Sequence, residues 1–396
     1  MGALRQIEYT RIAFPMGRKN VILLSLAVIA LVTLGLVMLT STGVGNVKAG
    51  DYHLVKKQGL FIIMGLIGAL VIANVDYRIL RPFWIPALVG SCVLLALCYM
   101  PGIGQSIKGA SRWIKIPGVP QFQPSELAKI FVIIALAAWY AHYQTEGRKF
   151  FKGFVWPSIL LGIPVLLIFF EKDMGTAAAL GAAGVLMMYA AGVRLPYLGA
   201  AALTALGGMA LVVMQNPERM GRIRAIFDLE SQEIAQGQGF QQRMALNAFQ
   251  NGGIDGKGLG DGYESRNYLP ESHTDFIFPV IGEELGLWFT LGSVFCFVVI
   301  MVCGIAIAMQ ARDVFGRLLA VGLTSVIIIP AMMNIGVCTA LLPNTGLPLP
   351  FISYGGTNML FTLLSMGVLV SIHRQAAETA TSEVDVIAQK KYCVRL

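Results

Sequence analysis

The sequence predicts an all-α fold, a polytopic membrane bundle of about ten transmembrane helices. Of 396 residues, 56% are apolar and 13% charged, against roughly 45–50% and about 25% in soluble globular proteins. The apolar residues also fall into runs of about 20, the length a helix needs to cross the roughly 30 Å hydrocarbon core. Such runs recur from Val21 almost to the C-terminus, and this excludes an ordinary soluble domain.

Taken in order, the spans cover 20–40, 59–75, 82–100, 127–143, 154–171, 174–192, 196–214, 276–309, 317–341 and 357–374. The first follows Arg11, Arg18 and Lys19 but is too long for a signal-peptide core and lacks a small-residue cleavage pattern, so it reads as retained. Pro124 with Ser125 and Glu126 opens the fourth span, as a proline in the first helical turn should. Ten spans place both termini on one side. With the N-terminus inside, inner segments hold 16 Lys and Arg and short outer loops hold 7, which predicts cytoplasmic termini. The organisation is then a cytoplasmic N-terminus (1–19), a membrane domain (20–375) and a mobile cytoplasmic tail (376–396). A large outer loop, 215–275, separates spans seven and eight.

A loop of that length in a bundle is usually functional or disordered. Its mixture of charge with Ile223, Ile226, Phe227, Leu229, Met244, Leu246 and Phe249 predicts one or two amphipathic helices against the bilayer surface or the bundle. The net charge of +8 is spread along the chain rather than gathered into a nucleic-acid-binding block. Six cysteines contain no CxxC pair and five lie in apolar runs, so neither a disulfide framework nor a metal centre is expected. Gly256, Gly258 and Gly260 lack the βαβ setting of a nucleotide site.

Candidate chemistry gathers at the outer ends of spans. Leu269 to Gly286 brings Glu271, His273, Asp275, Glu283 and Glu284 to the entrance of the eighth span. Charge at membrane depth usually lines a cavity or meets a partner. Partial burial there would suit Asp275 to accept a proton; the alternative is a helix-capping carboxylate, with Thr274 as competitor. His273 by itself reads as a structural or interfacial histidine more readily than as a ligand, and one of Glu283 and Glu284 is expected to meet a basic residue. Glu126 and Lys129, three apart, share one face of the fourth span. Arg112 beside Trp113 offers a fork suited to phosphate, and an anionic lipid headgroup would fit that corner. Asp173 lies in a tight connection and also reads as a turn residue. The Pro- and Gly-rich segment 343–357, with Ser353, reads as a re-entrant or cavity-lining loop.

Taken together, GASRWI, QPSELAK, KDMGT, LPESHTDFIFPVIGEELG and LPLPFISYGG, in that order, resemble the SEDS family (shape, elongation, division and sporulation) over roughly residues 20–375. The subfamily is more like FtsW than RodA. This resemblance implies a peptidoglycan glycosyltransferase that polymerises lipid II at the outer face of a bacterial inner membrane, with a class B penicillin-binding protein transpeptidase and division proteins as partners. It also implies that Asp275 is the catalytic base, that Arg112, Glu126, Lys129, Asp173, His273 and Ser353 contact substrate, and that a divalent cation, magnesium or manganese, is a candidate cofactor. Two departures stand out: Lys172 where the family often has proline, and Pro279 where small residues are usual. The alternatives are a RodA-like role in elongation, a lipid II flippase or other transporter, and a scaffold that only binds partners.

Overall fold

The computed structural model describes residues 19–46, 53–100, 102–107, 110–114, 122–227, 239–264 and 269–393. Its helices are α1 (Lys19–Asn46), α2 (His53–Asn74), α3 (Trp84–Leu97), α4 (Pro124–His142), α5 (Trp156–Phe170), α6 (Met174–Ala190), α7 (Leu195–Met214), α8 (Pro217–Phe227), α9 (Phe240–Gly252), α10 (Ile277–Gln310), α11 (Val314–Cys338) and α12 (Gly356–Cys393). Eight are long and apolar enough to cross a membrane, and the shorter apolar α3 and α6 bring the set to the ten expected. The chain is a multi-pass membrane protein.

Burial sorts these helices into a centre and a lipid-facing shell. In α11, 72% of the best apolar window is buried, in α4 78%, and in α7 only 11%. Along α4 the run from Val132 to Ala138 is almost wholly enclosed, whereas α2, α5 and α7 point Leu70, Leu166 and Leu203 outward. Lipid is as apolar as leucine, so association inside the bilayer depends on close packing rather than on removal from water. The α2–α12 contact illustrates this, because a Cβ on Gly367 would sit 2.5 Å from the Ala69 carbonyl oxygen.

Two features were not among the sequence expectations. The segment between spans three and four folds as a short antiparallel hairpin, β1 (Gly104–Ile107) and β2 (Ala110–Ile114), where no strand was foreseen. The pattern is too short for period-two alternation to show. The backbone beyond Gln375, expected to be a mobile tail, continues α12 to Cys393; residues 376–393 contain no Gly or Pro and are rich in Ala, Glu, Gln and Lys, which favour helix. The N-terminal 1–18, parts of both outer segments (115–121, 228–238, 265–268) and residues 394–396 lie outside the described residues.

Among the described residues the long loop contains two helices, α8 and α9, where one or two were expected. α9 lies on the bundle: Ala245 and Ala248 are buried and the Phe249 and Phe278 rings meet edge to face at 5.6 Å. Its buried Gln242 donates to the carbonyls of Val337 (3.1 Å) and Leu342 (2.7 Å), capping the end of α11.

α10 is two helices joined at Gly286, whose φ of 77° and ψ of −171° interrupt it. The break receives the preceding loop: Leu287 N–H donates to the Ile254 carbonyl, and the N–H groups of Lys257 and Gly258 donate to the Glu283 and Glu284 carbonyls. A Cβ at Gly286 would lie 2.3 Å from the Ile254 oxygen. Gly286→Ala therefore combines a strained backbone, costing about 1–3 kcal/mol, with a clash against main chain. A lower thermal midpoint in detergent is expected for it, and an unchanged one for Gly292→Ala on the same helix, where a Cβ meets nothing within 4 Å.

Candidate active site

The segment 343–358 is a strap across one end of the bundle, and the candidate residues are arranged along it. Asn334, buried near the end of α11, donates to the carbonyls of Asp275 and Leu347, both at 2.7 Å, and so ties the entrance of α10 to the strap. The Asp275 carboxylate faces the strap at Gly346, its Oδ2 3.3 Å from where a Cβ would be; any larger residue there would crowd it. The N-cap of α10 is Phe276, with no side-chain capping bond, and Thr274 bonds Glu271 instead. The N-cap position itself is therefore not Asp275.

Ser353 is committed to structure. Its hydroxyl donates to the Thr274 carbonyl (2.6 Å) and accepts from Leu349 N–H (2.7 Å), which makes it a positioning residue. The His273 carbonyl accepts from Tyr354 N–H at 2.9 Å, and its ring lies 6.0 Å from the Tyr354 ring. Gln58 of α2 completes the arrangement, donating to the Ser353 carbonyl and accepting from Gly355 N–H.

On the other side of the strap, Thr345 and Leu347 pack against Gly175 at the start of α6. Asp173 caps that helix, accepting from Thr176 N–H at 3.1 Å, so the turn reading of this residue holds as well. It also faces Arg112, with Nε 3.7 Å from Oδ2. Arg112 reaches it from a bulge in the hairpin: Ser106 pairs with Ser111 and Gln105 with Trp113, which leaves Arg112 as the extra residue. Bulges commonly re-aim a side chain in this way. One guanidinium nitrogen donates to the Lys172 carbonyl at 2.6 Å, while the buried Nε lacks a hydrogen-bond acceptor. Lys172 has φ of 64°, which proline, fixed near −65°, cannot adopt. This turn therefore differs from one built on the family's proline. Pro279 is accommodated more simply, as the third residue of α10, where the N–H has no acceptor within the helix.

Glu126 and Lys129 form the expected pair, 2.8 Å apart and with side chains 4% and 8% exposed. Asn358, at the end of the strap, donates to Glu126 at 3.0 Å. Glu283 and Glu284, for which a basic partner was expected, take backbone N–H groups and a hydroxyl in the described residues. Glu283 accepts from Tyr263 and Glu264, and Glu284 accepts from Gly260 and Ser41. These bonds hold the glycine-rich loop in place.

Sequence reasoning passed over four residues: Asn334, Gln58, Asn358 and Glu171. Three are polar side chains within or at the edge of apolar runs, a signal present in the sequence. Glu171, in the turn beyond α5, is buried with both carboxylate oxygens lacking hydrogen-bond partners. Burial, and then the neighbouring Asp173 carboxylate, push it up to about 8. It is thus neutral at pH 7, and its contribution to stability is greatest below the ordinary carboxylate range and is lost as pH rises through 8. The thermal midpoint in detergent is expected to fall as pH rises from the ordinary carboxylate range to about 8, and Glu171→Gln to flatten that dependence.

A resident divalent cation has no ready cage, since among the described residues no group of three or more His, Cys, Asp or Glu comes together. What the site does supply is a carboxylate at a polar loop, a partly exposed guanidinium with an unsatisfied donor, and a buried ion pair, all at one end of a membrane bundle.

That combination defines a membrane-embedded protein with a polar site at one end of its helices. The FtsW/RodA/SpoVE family, described as "Cell cycle protein", matches residues 22–378, and the chain belongs to it. It is 39% identical over 358 residues to a probable peptidoglycan glycosyltransferase FtsW of Geobacter metallireducens, covering 90% of this chain and 94% of that one. It is 36% identical over 357 residues to the stage V sporulation protein E of Bacillus subtilis, covering 89% and 96%. A chain from a structure described as "Structural coordination of polymerization and crosslinking by a peptidoglycan synthase complex" superposes with a TM-score of 0.73 at 26% identity, covering 89% of this chain and 97% of that one. The rod shape determining protein RodA of Thermus thermophilus superposes with a TM-score of 0.65 at 26% identity, covering 89% and 96%.

Proposed function

We propose that this chain is a peptidoglycan glycosyltransferase of FtsW type, polymerising lipid II at the outer face of a bacterial inner membrane with both termini in the cytoplasm. The observation that carries the mechanism is the strap: Asp275 faces it at Gly346, the turn bearing the Arg112–Asp173 pair packs on Thr345 and Leu347 through Gly175, and Glu126 of the Glu126–Lys129 pair accepts from Asn358 at its end, all at one end of the bundle. The basic residues Arg78, Arg81, Arg148, Lys149, Lys152, Arg194, Arg312, Arg317 and Arg374 flank helix ends at the opposite end, which supports placing the site outside.

In this reading Asp275 takes the proton from the GlcNAc 4-hydroxyl of the acceptor. That oxygen attacks the anomeric carbon of the growing chain, the bond to undecaprenyl diphosphate breaks, and the configuration inverts. A diphosphate needs counter-charge more than a proton as it leaves, and Arg112, with its unsatisfied Nε, is placed to provide it. Lys129 is engaged by Glu126, so that pair supports the wall of the site, and His273 and Asp173 hold the two sides of the strap.

A transporter would centre its site near the bilayer midplane, whereas these residues lie at helix ends. A class B transpeptidase is the partner this reading calls for, with division proteins around it. The test is polymerisation of purified lipid II by the detergent-solubilised protein, alone and with that partner. Glycan strands are the expected product; their absence in every condition, together with transbilayer movement of lipid II in vesicles, would overturn the enzyme reading.

A further inference from the structure

At the end of the bundle away from Asp275, the start of α3 and the end of α4 enclose a cavity of about 520 Å³ lined by Arg81, Trp84, Trp139, His142 and Tyr143 among others. It lies twelve residues along α4 from Glu126, a rise of about 18 Å, and is a separate site. Its walls are fixed by ring packing: Trp139 meets Trp84 edge to face at 6.3 Å and Tyr143 at 4.7 Å, and Trp139 Nε1–H donates to the Lys152 carbonyl at 2.9 Å.

The lining holds a guanidinium and an imidazole and no carboxylate. Arg81 makes no ion pair among the described residues, unlike Lys152, which sits 2.9 Å from Glu146 and 4.8 Å from the Tyr143 ring centroid. Ile85 and Val89, which follow Trp84 on α3, are exposed and apolar, as are Ile159 and Ile163 on α5, whose Trp156 ring lies 6.4 Å from that of Trp139. Tryptophan and tyrosine at a helix end mark the headgroup level of a bilayer, and basic pockets between helices at that level take anionic headgroups.

We propose that this cavity binds the phosphodiester headgroup of an anionic phospholipid from the leaflet at that end, with Arg81 as its counter-charge and the acyl chains on α3 and α5. A phosphate ester could also arrive free in solution; the exposed apolar faces leading away from the cavity favour the lipid. One cation near a surface contributes about 1 kcal/mol, hence about fivefold in affinity.

The full chain in detergent, titrated with brominated phosphatidylglycerol or brominated phosphatidylcholine, reports contact through tryptophan quenching. Half-quenching is expected at about fivefold lower phosphatidylglycerol than phosphatidylcholine. Arg81→Gln combined with His142→Gln should abolish the difference, and Arg194→Gln, at the same end but outside the cavity, should retain it. Equal quenching by both lipids in the wild type would overturn the proposal, as would a double variant that keeps the preference. Displacement of brominated phosphatidylglycerol by glycerol phosphate would assign the cavity to a free phosphate instead. The two wild-type comparisons decide the matter even where the double variant folds poorly.

Discussion

Asp275→Asn is expected to lower lipid II polymerisation by about 10²–10⁴-fold, the range that a positioned general base contributes, while leaving the thermal midpoint in detergent near the wild-type value. The separation of the two effects follows from how the residue is held. It is the Asp275 carbonyl, not the carboxylate, that accepts from Asn334, and Ser353 fixes the preceding carbonyl of Thr274. Asparagine keeps that backbone and the side-chain volume at Gly346 but cannot take up a proton. A folded Asp275→Asn protein with near wild-type activity would remove Asp275 from the mechanism while leaving the family assignment intact.

Lys129→Met should produce the largest loss of stability, about 3–5 kcal/mol, the cost of stranding a buried charge. The carboxylate left behind is 4% exposed, and the Asn358 amide at 3.0 Å is its remaining support here. Adding Glu126→Gln to Lys129→Met is expected to restore part of the loss, because a neutral amide no longer needs the ammonium. Unfolding of both variants in the same detergent measures this; a double variant less stable than Lys129→Met alone would show that the pair is not coupled as drawn.

The spans were legible in the sequence because membrane depth imposes a length on every apolar run, and the pairing of Glu126 with Lys129 followed from helical spacing. The kink at Gly286 was hidden, since the apolar pattern of α10 runs across it without a break. The hairpin was hidden as well: its bulge at Arg112 depends on pairing with Gln105 and Ser106, which no local pattern reveals. Glu283 and Glu284 misled in a more general way. A carboxylate at a span boundary suggests a cation, but a glycine-rich loop with spare N–H groups also satisfies it, and no local pattern in the sequence announces that contribution. Asp275, by contrast, was singled out through its motif, and the structure adds that the N-cap of α10 is the next residue, Phe276.

Because one strap touches the proposed base, the guanidinium side and the buried ion pair, those parts of the site are not separable units. A substitution that shifts Gly346 by a few tenths of an ångström moves the environment of Asp275 and, through Thr345 and Leu347, that of the α6 turn. Effects of paired substitutions along residues 343–358 should then depart from the sum of the single ones, as contacting residues generally do. Additivity within this site would be the exception, and a double-mutant cycle drawn between its two sides measures the stiffness of the strap as much as any direct interaction.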